Sequence, residues 1–185
     1  YVTEEDVQKT EFYRRNIKIK EQFIINEKGG DLFSFLKDLS MELTIYDRSK
    51  FDFERAIQLI NKTNQFNTTG KRWLPAEAEQ YFAEQGVFYA LSVVDRFTSY
   101  GLVGVLCVKH GQIDQFVMSC RVVGLDVELA AVAKLVALLR LSENAPITAL
   151  SVETEANHLS RSIWSNCGFL LAGDQYVLPT GVAGL

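Results

Sequence analysis

The stretch CRVVGLDVE at residues 120–128 lies where the pattern of the chain changes from strand to helix. Upstream of it, residues 87–94, 102–109 and 112–121 are rich in β-branched and aromatic residues and are joined by short, turn-like links. Consecutive strands with short links predict an antiparallel meander. Downstream of it, residues 126–141 are almost wholly apolar at helical spacing, which predicts a buried helix.

Segments further out complete an α/β pattern. Residues 41–46 alternate between polar and apolar side chains and predict a strand, whereas residues 51–63 carry apolar side chains at helical period. The remaining predicted elements are a helix from Pro75 to about residue 84, a strand over 147–152, a helix over 157–166, and strands over 169–171 and 176–178. This order predicts a single α/β or α+β domain.

The first part of the chain is polar and differs from the rest. Helical patterns at residues 4–27 and 31–39 predict a helical linker that is broken by a Gly-Gly pair. We therefore expect residues 1–40 to be an extension and residues 41–185 to form the domain. The sequence opens without an initiator Met, which suggests a domain cut from a longer protein; a complete protein trimmed by processing is the alternative.

Composition and charge exclude several classes of protein. The chain has 185 residues, of which 48% are hydrophobic, and is long enough to bury a core. A net charge of -4 gives no broad attraction to nucleic acid or anionic membranes, and no apolar run approaches the ~20 residues of a membrane span. Three cysteines without CxxC spacing and two separated histidines indicate neither a disulfide framework nor a metal site. We expect a cytoplasmic domain that binds no metal, nucleic acid or membrane.

The turn at residues 121–126 is a candidate anion site. A strand-to-helix turn can present several backbone N–H groups at a helix N-terminus, where the helix dipole also favours negative charge. Gly124 permits a positive φ or a close approach of the backbone, and Arg121 can add a charge-assisted contact. A plain turn with Asp126 as the helix N-cap is the alternative.

Asp114 and Cys120 are candidate catalytic residues. They lie six positions apart on one predicted strand, so strict alternation places both side chains on the same face. Asp114 is then a candidate base and Cys120 a candidate thiol nucleophile. A small buried core residue is the alternative for Cys120. Cys107 and Cys167 lie in apolar or structural contexts, where we expect them to be inert.

Two motifs resemble the GNAT acyltransferase fold. An Arg-x-x-Gly pattern at Arg121 and Gly124 follows a predicted strand, and a later helix ends in Gly168-Phe169. The resemblance implies a mixed, mostly antiparallel central sheet flanked by helices. It also implies that the turn holds coenzyme A or the phosphopantetheine arm of a carrier protein. The binding residues that it implies are Arg121, Val122, Gly124, Leu125 and Asn157.

Further motifs resemble the C-terminal part of FkbH-like proteins over nearly the whole chain. They are KTNQFN at residues 62–67 with Thr69, KRW at residues 71–73, Tyr100-Gly101 with Gly104, Ile113-Asp114, and MSCRVVG at residues 118–124. The resemblance implies an N-terminal HAD-type phosphatase domain as a partner, whose Asp-x-Asp-x-Thr motif is absent from this sequence. It also implies transfer of a glyceryl unit from 1,3-bisphosphoglycerate to an acyl carrier protein, in polyketide or related biosynthesis.

In the arrangement that the GNAT resemblance implies, the polar loop between the first two core helices borders the acceptor side of the cleft. The candidate substrate-binding residues of this loop are Asn64, Gln65, Asn67, Thr69 and Arg72. Their amides can hydrogen-bond a hydroxylated acyl group, and the Arg72 guanidinium can pair with a phosphate or carboxylate. Asx-type turns that stabilise the loop, and a solvated surface charge, are the respective alternatives.

The leading hypothesis is an acyltransferase-type domain that handles a pantetheine thioester and passes a glyceryl-type unit to an acyl carrier protein. The alternatives are a non-catalytic module that docks a carrier or coenzyme A for the HAD-type partner, and a conventional N-acyltransferase. Asp126 stands where the GNAT turn has a small residue, and Trp164 stands where that fold has a Tyr. Both departures favour the docking module over conventional N-acyl transfer. The acidic side chain of Asp126 would repel a pyrophosphate, and the indole of Trp164 cannot protonate a departing thiolate.

Overall fold

The computed structural model describes residues 40–47, 50–141 and 145–181. Seven strands form one sheet in these residues, in the order β1-β2-β3-β4-β5-β7-β6. The predicted extension over residues 1–40 lies outside the described residues, except for Ser40. The strands are β1 (Glu42–Tyr46), β2 (Val87–Val94), β3 (Ser99–Lys109), β4 (Gln112–Met118), β5 (Ile147–Ala149), β6 (Leu170–Ala172) and β7 (Gln175–Leu178).

The sheet is mixed and mostly antiparallel. Each neighbouring pair of its strands is antiparallel except β4 and β5, which run parallel. The consecutive pairing of β2, β3 and β4 confirms the predicted meander. The predicted α/β domain with a mostly antiparallel sheet is confirmed at this level.

Helices accompany the sheet, and the first three of them lie close to their predicted positions. Asp52 is the N-cap of the first helix, and its carboxylate accepts a bond of 3.1 Å from the Arg55 N–H. No helix in the described residues is long and apolar enough to cross a bilayer. The helices are α1 (Phe53–Lys62), α2 (Pro75–Ala83), α3 (Val127–Arg140) and α4 (Ile163–Asn166).

The prediction of one helix over residues 157–166 is wrong. A 3₁₀ helix (His158–Ser160) and the short α4 stand there instead. The Leu159 N–H donates to the Gln65 carbonyl at 3.2 Å, a bond to a distant loop. The Ser160 N–H donates to the carbonyl of Asn157, three positions back, at 3.2 Å, which closes a 3₁₀ turn where the first α-helical turn was predicted.

Two hydrophobic cores lie on opposite faces of the sheet. In β3, for example, Leu106 belongs to the larger core with α3, whereas Val105 and Cys107 belong to the smaller core under α1 and α2. This division follows the alternation of side chains along a strand. The buried members of the smaller core are Ala56, Ile57, Ile60, Trp73, Ala78, Tyr81, Phe88, Val105, Cys107 and Val117.

A β-bulge interrupts β4 at Asp114. Cys107 pairs with Gln115 and Val108 pairs with Ile113, so Asp114 is the extra residue of β4. The bulge shifts the alternation of the strand. Side chains on either side of it therefore do not face the direction that simple counting along the strand predicts.

Candidate functional site

The turn after β4 has the predicted strand-to-helix form. β4 ends at Met118 and α3 begins at Val127. Gly124 has a φ of +86°, and a Cβ placed on it would meet nothing within 4 Å. Glycine is therefore favoured here by backbone conformation, and not by a close approach of neighbouring atoms.

Bonds within the turn occupy several of the N–H groups that were predicted to bind an anion. The Val122 N–H donates to the Ser119 carbonyl at 3.2 Å, and the Leu125 N–H donates to the Val122 carbonyl at 3.3 Å. The Gly124 N–H donates to Glu128 Oε1 at 3.2 Å. A phosphate at Gly124 would have to displace this carboxylate. Val122 and Leu125 themselves are buried in the larger core.

Arg121 is held against the end of β3. Its Nε donates to Ser119 Oγ at 3.2 Å, and its Nη2 donates to the Leu102 carbonyl at 3.2 Å. Burial and the nearby charge of Arg55 lower the pKa of Arg121, whereas interaction with the neighbouring Cys120 thiol raises it.

The three cysteines differ in their exposure. Cys120 is half-buried, whereas Cys107 and Cys167 are buried. Burial raises the pKa of Cys107 well above its ordinary value, with a smaller contribution from Asp114. Burial and then the charge of Glu128 raise the pKa of Cys167 to about 12. Thiols with raised pKa values are poor nucleophiles at neutral pH, so Cys120 is the accessible candidate among them.

Asp114 lies apart from Cys120. Its carboxylate accepts bonds from the Tyr81 hydroxyl at 2.7 Å and from Gln112 Nε2 at 2.6 Å. Burial, followed by the bond to Asp114, raises the pKa of Tyr81.

The prediction that Asp114 and Cys120 share a face by strict alternation is wrong, because the bulge shifts the phase of β4. Asp114 contacts Tyr81 of the smaller core, whereas Phe116 and Met118 face the larger core. Four strand residues also span about 13 Å, and Cys120 lies beyond the end of β4. Asp114 therefore does not sit beside the Cys120 thiol.

The predicted substrate-binding loop divides into an exposed part and a buried part. Asn64 and Gln65 are exposed, whereas Asn67 is fully buried and Thr69 is partly buried. Asn67 Oδ1 accepts from the Gly70 N–H at 2.9 Å, which closes an Asx-type turn. For Asn67, the structure thus favours the loop-stabilising alternative.

Gln115 was not singled out from the sequence, yet it joins this loop to the sheet. Its Nε2 donates to Asn67 Oδ1 and to the Lys71 carbonyl, each at 2.8 Å. Its Oε1 accepts from the indole N–H of Trp73 at 2.6 Å. A glutamine within a run of apolar strand residues is the sequence signal for such a role, because an amide that is buried with its neighbours requires hydrogen-bond partners.

The side chain of Asn157, like that of Gln115, forms hydrogen bonds that join separate parts of the chain. It is 1% exposed, and its Nδ2 donates to the Asn67 carbonyl at 2.9 Å and to the Val152 carbonyl at 2.8 Å. Its Oδ1 accepts from the Thr154 N–H at 2.8 Å. These contacts link two loops, and they use the amide that was predicted to contact the thioester arm.

Arg72 binds the C-terminal end of α1. Its Nη1 donates to the Ile60 carbonyl at 2.7 Å and to the Thr63 carbonyl at 2.8 Å, and its Nη2 donates to Asn64 Oδ1. Cations are favoured at this end of a helix, where carbonyls lack intrahelical partners. In the structure, Arg72 thus acts as a cap for the C-terminal end of α1.

We expect Arg72→Met to lower the free energy of unfolding by about 1–2 kcal/mol, because two helix-end carbonyls lose a charged donor. Urea unfolding followed by tryptophan fluorescence measures the change. Lys62→Met is the matched control: it removes a cation from the last turn of the same helix and should cost less than about 0.5 kcal/mol. Equal losses in the two variants would contradict the capping role.

Trp164, which stands where the GNAT fold has a Tyr, is a core residue. Its side chain is fully buried, and the indole N–H donates to the Leu150 carbonyl at 3.1 Å just after β5. The rings of Phe116 and Phe169 pack against Trp164 at centroid distances of 6.3 and 5.5 Å.

No group of three His, Cys, Asp or Glu residues suited to a metal ion occurs in the ranges that the structure describes.

Comparisons with known proteins bear on the fold. No family model matches the chain, and no curated protein matches its sequence. A crystal structure of a domain from Methanocaldococcus jannaschii is similar, with a TM-score of 0.56 and 14% sequence identity. The match covers 74% of this chain and 96% of that domain. At this identity the similarity shows a shared fold and nothing about activity.

Proposed function

We propose that this domain acts in acyl transfer from a pantetheine thioester, with Cys120 as the thiol that accepts the acyl group. The observation that carries the proposal is the position of Cys120. It is half-buried in the turn between β4 and α3, and the next residue in the chain is Arg121. A neighbouring cation favours the thiolate, which is the nucleophilic form of cysteine.

The chemistry needs few groups. The Cys120 thiolate adds to the thioester carbonyl, a new C–S bond forms, and the bond to the arm's sulfur breaks. The arm leaves as a thiolate and takes up a proton from solvent. Attack by a second pantetheine thiolate returns the acyl group to a carrier. Positioning and stabilisation of the oxyanion supply most of the acceleration in such exchanges.

The resemblance to FkbH-like sequences supports a glyceryl-type acyl unit, an acyl carrier protein as the partner, and a HAD-type domain elsewhere in the parent protein. The mixed sheet, with a strand-to-helix turn after β4, is compatible with a GNAT-like domain. In this proposal, Asp114 lies too far from Cys120 to act on a thioester formed there. It stabilises α2 through Tyr81 instead.

A non-catalytic docking module is the second candidate. The Glu128 carboxylate at the Gly124 N–H favours it, because this group opposes a phosphate in the turn. The structural bonds of Asn157 favour it as well. Conventional N-acyl transfer is less well supported, since the buried indole of Trp164 replaces the expected general acid.

Intact mass spectrometry after incubation with a glyceryl thioester of pantetheine tests the proposal. We expect the wild-type domain to gain the mass of one acyl group and the Cys120→Ala variant to gain none. Cys167→Ala is the matched control and should keep the adduct, because the buried Cys167 has a pKa raised to about 12 and stays protonated at pH 8. Iodoacetamide at pH 8 should likewise modify Cys120 before Cys107 or Cys167.

Each outcome of this experiment selects one candidate. An adduct on Cys120 supports acyl transfer through a covalent intermediate. Absence of an adduct, together with binding of the thioester in an equilibrium assay, would replace transfer by the docking module. An adduct that persists in Cys120→Ala would remove Cys120 from the mechanism.

A further inference from the structure

The space between β4 and β5 is filled by a piece of the chain itself. The two parallel strands pair over two register positions only, Gln112 with Thr148 and Ile113 with Ala149. Beyond this point residues 66–68, here named the inserted segment, lie beside β4. We infer that the inserted segment is a fixed internal strand, and that a thioester arm reaches Cys120 from the solvent side of the turn, without entering between β4 and β5.

The inserted segment uses the free edge of β4 as a neighbouring strand would. The Thr68 N–H donates to the Phe116 carbonyl and the Met118 N–H to the Phe66 carbonyl, each at 3.0 Å. The Phe116 N–H donates to Thr68 Oγ1 at 2.9 Å. Extended ligands that bind a sheet use the backbone groups of such an edge. On this part of β4, these groups are already engaged.

The other edge of the inserted segment is also bonded. The Val152 N–H donates to the Thr68 carbonyl at 2.8 Å, and Asn157 Nδ2 donates to the Asn67 carbonyl at 2.9 Å. The inserted segment therefore joins β4 to the stretch that follows β5, and the sheet continues through it. A segment bonded along both edges has the environment of a central strand.

Burial fixes the inserted segment further. Phe66 is 2% exposed and contacts Phe116 edge to face at a centroid distance of 5.1 Å, while Asn67 and Thr68 are fully buried. Removing the inserted segment would expose a buried aromatic side chain and break all of these bonds together. A ligand arm that replaces it would recover only the bonds to one edge of β4. Displacement is therefore unfavourable, and the space stays filled.

This arrangement has a consequence for substrate recognition, which rests on the proposed function. An arm that does not lie along β4 gains little binding energy from its length. The reaction of Cys120 should then depend on the acyl group and on contacts with the carrier's surface. A glyceryl thioester of N-acetylcysteamine, which carries only the end of the arm, should acylate Cys120 within about threefold of the rate of the pantetheine thioester.

Amide hydrogen exchange of the free domain tests the fixed segment by itself. We expect the Thr68, Met118 and Val152 amides to exchange as slowly as those between β2 and β3, because both sets should open only in global unfolding. Thr68→Val, which leaves the Phe116 N–H without its hydroxyl acceptor, should accelerate exchange at Thr68 and Val152. Thr68→Ser keeps the acceptor and is the control. Rapid exchange of Thr68 and Val152 in the wild-type domain would overturn the inference.

Repeating the exchange measurement during acylation by the pantetheine thioester tests the path of the arm. Retained protection at Thr68 and Val152, with similar rates for the two thioesters, supports approach from the solvent side. Loss of protection at either amide, or a pantetheine advantage above about threefold, would overturn the inference while leaving acyl transfer intact. No acylation by either thioester would overturn the proposed function and the path of the arm with it.

Discussion

Asn67→Ala should lower the free energy of unfolding by about 3–4 kcal/mol, the larger part of the stability of a marginal domain. Asn67 Oδ1 accepts from the Gly70 N–H and from Gln115 Nε2, at 2.9 and 2.8 Å. Alanine removes this acceptor from the buried amide of Gln115 and from the partly buried N–H of Gly70, and each unsatisfied donor costs about 1–3 kcal/mol. The nearby indoles of Trp73 and Trp164 allow tryptophan fluorescence to follow urea unfolding.

The control for Asn67→Ala is Asn64→Ala. Asn64 belongs to the same loop and has the same side chain, but it is exposed and its Oδ1 accepts from Arg72 at the surface. We expect this variant to lose less than about 1 kcal/mol. If both variants were equally stable, the buried amide network would not hold the loop, and a ligand-binding role for Asn67 would become the better explanation.

The fold was largely predictable from periodicity. The meander, the helix after residue 126 and the turn between them follow from runs of side chains with one clear period. A polar loop has no such period, so its inward-facing members cannot be identified from the loop alone. The partner of Asn67 is Gln115, 48 positions away, and local pattern carries no information about a pairing at that separation.

The bulge in β4 did leave a signal in the sequence. Ile113, Phe116 and Met118 all belong to the larger core, although the first two are separated by three positions and the last two by two. This change of phase indicates one extra residue between Ile113 and Phe116. Counting alternation across it placed Asp114 on the face of Cys120. If the alternation of apolar residues is followed separately before and after the bulge, Asp114 and Cys120 are assigned to different faces of the sheet.

The glycine before β2 provides the second large effect. A Cβ on Gly86 would lie 2.2 Å from Cδ1 and Cε1 of Tyr81, far inside van der Waals contact. The ring cannot easily move, because its hydroxyl donates to Asp114 at 2.7 Å and the ring packs against Trp73 in a T-shaped arrangement at a centroid distance of 5.0 Å. Overpacking of this kind costs about 1–3 kcal/mol, and loss of the bond to Asp114 adds to it. We expect Gly86→Ala to lose about 3 kcal/mol in urea unfolding.

A double-mutant cycle separates this clash from a general effect of alanine at position 86. Tyr81→Leu removes the ring, so Gly86→Ala should cost at least about 1.5 kcal/mol less in that background than in the wild-type domain. Gly86 does not have a positive φ, which means that backbone strain does not explain the loss. Additive losses would show that the ring is not the obstacle. A strong coupling would show that glycine at position 86 is required because Tyr81, fixed by Asp114, occupies the space of a side chain.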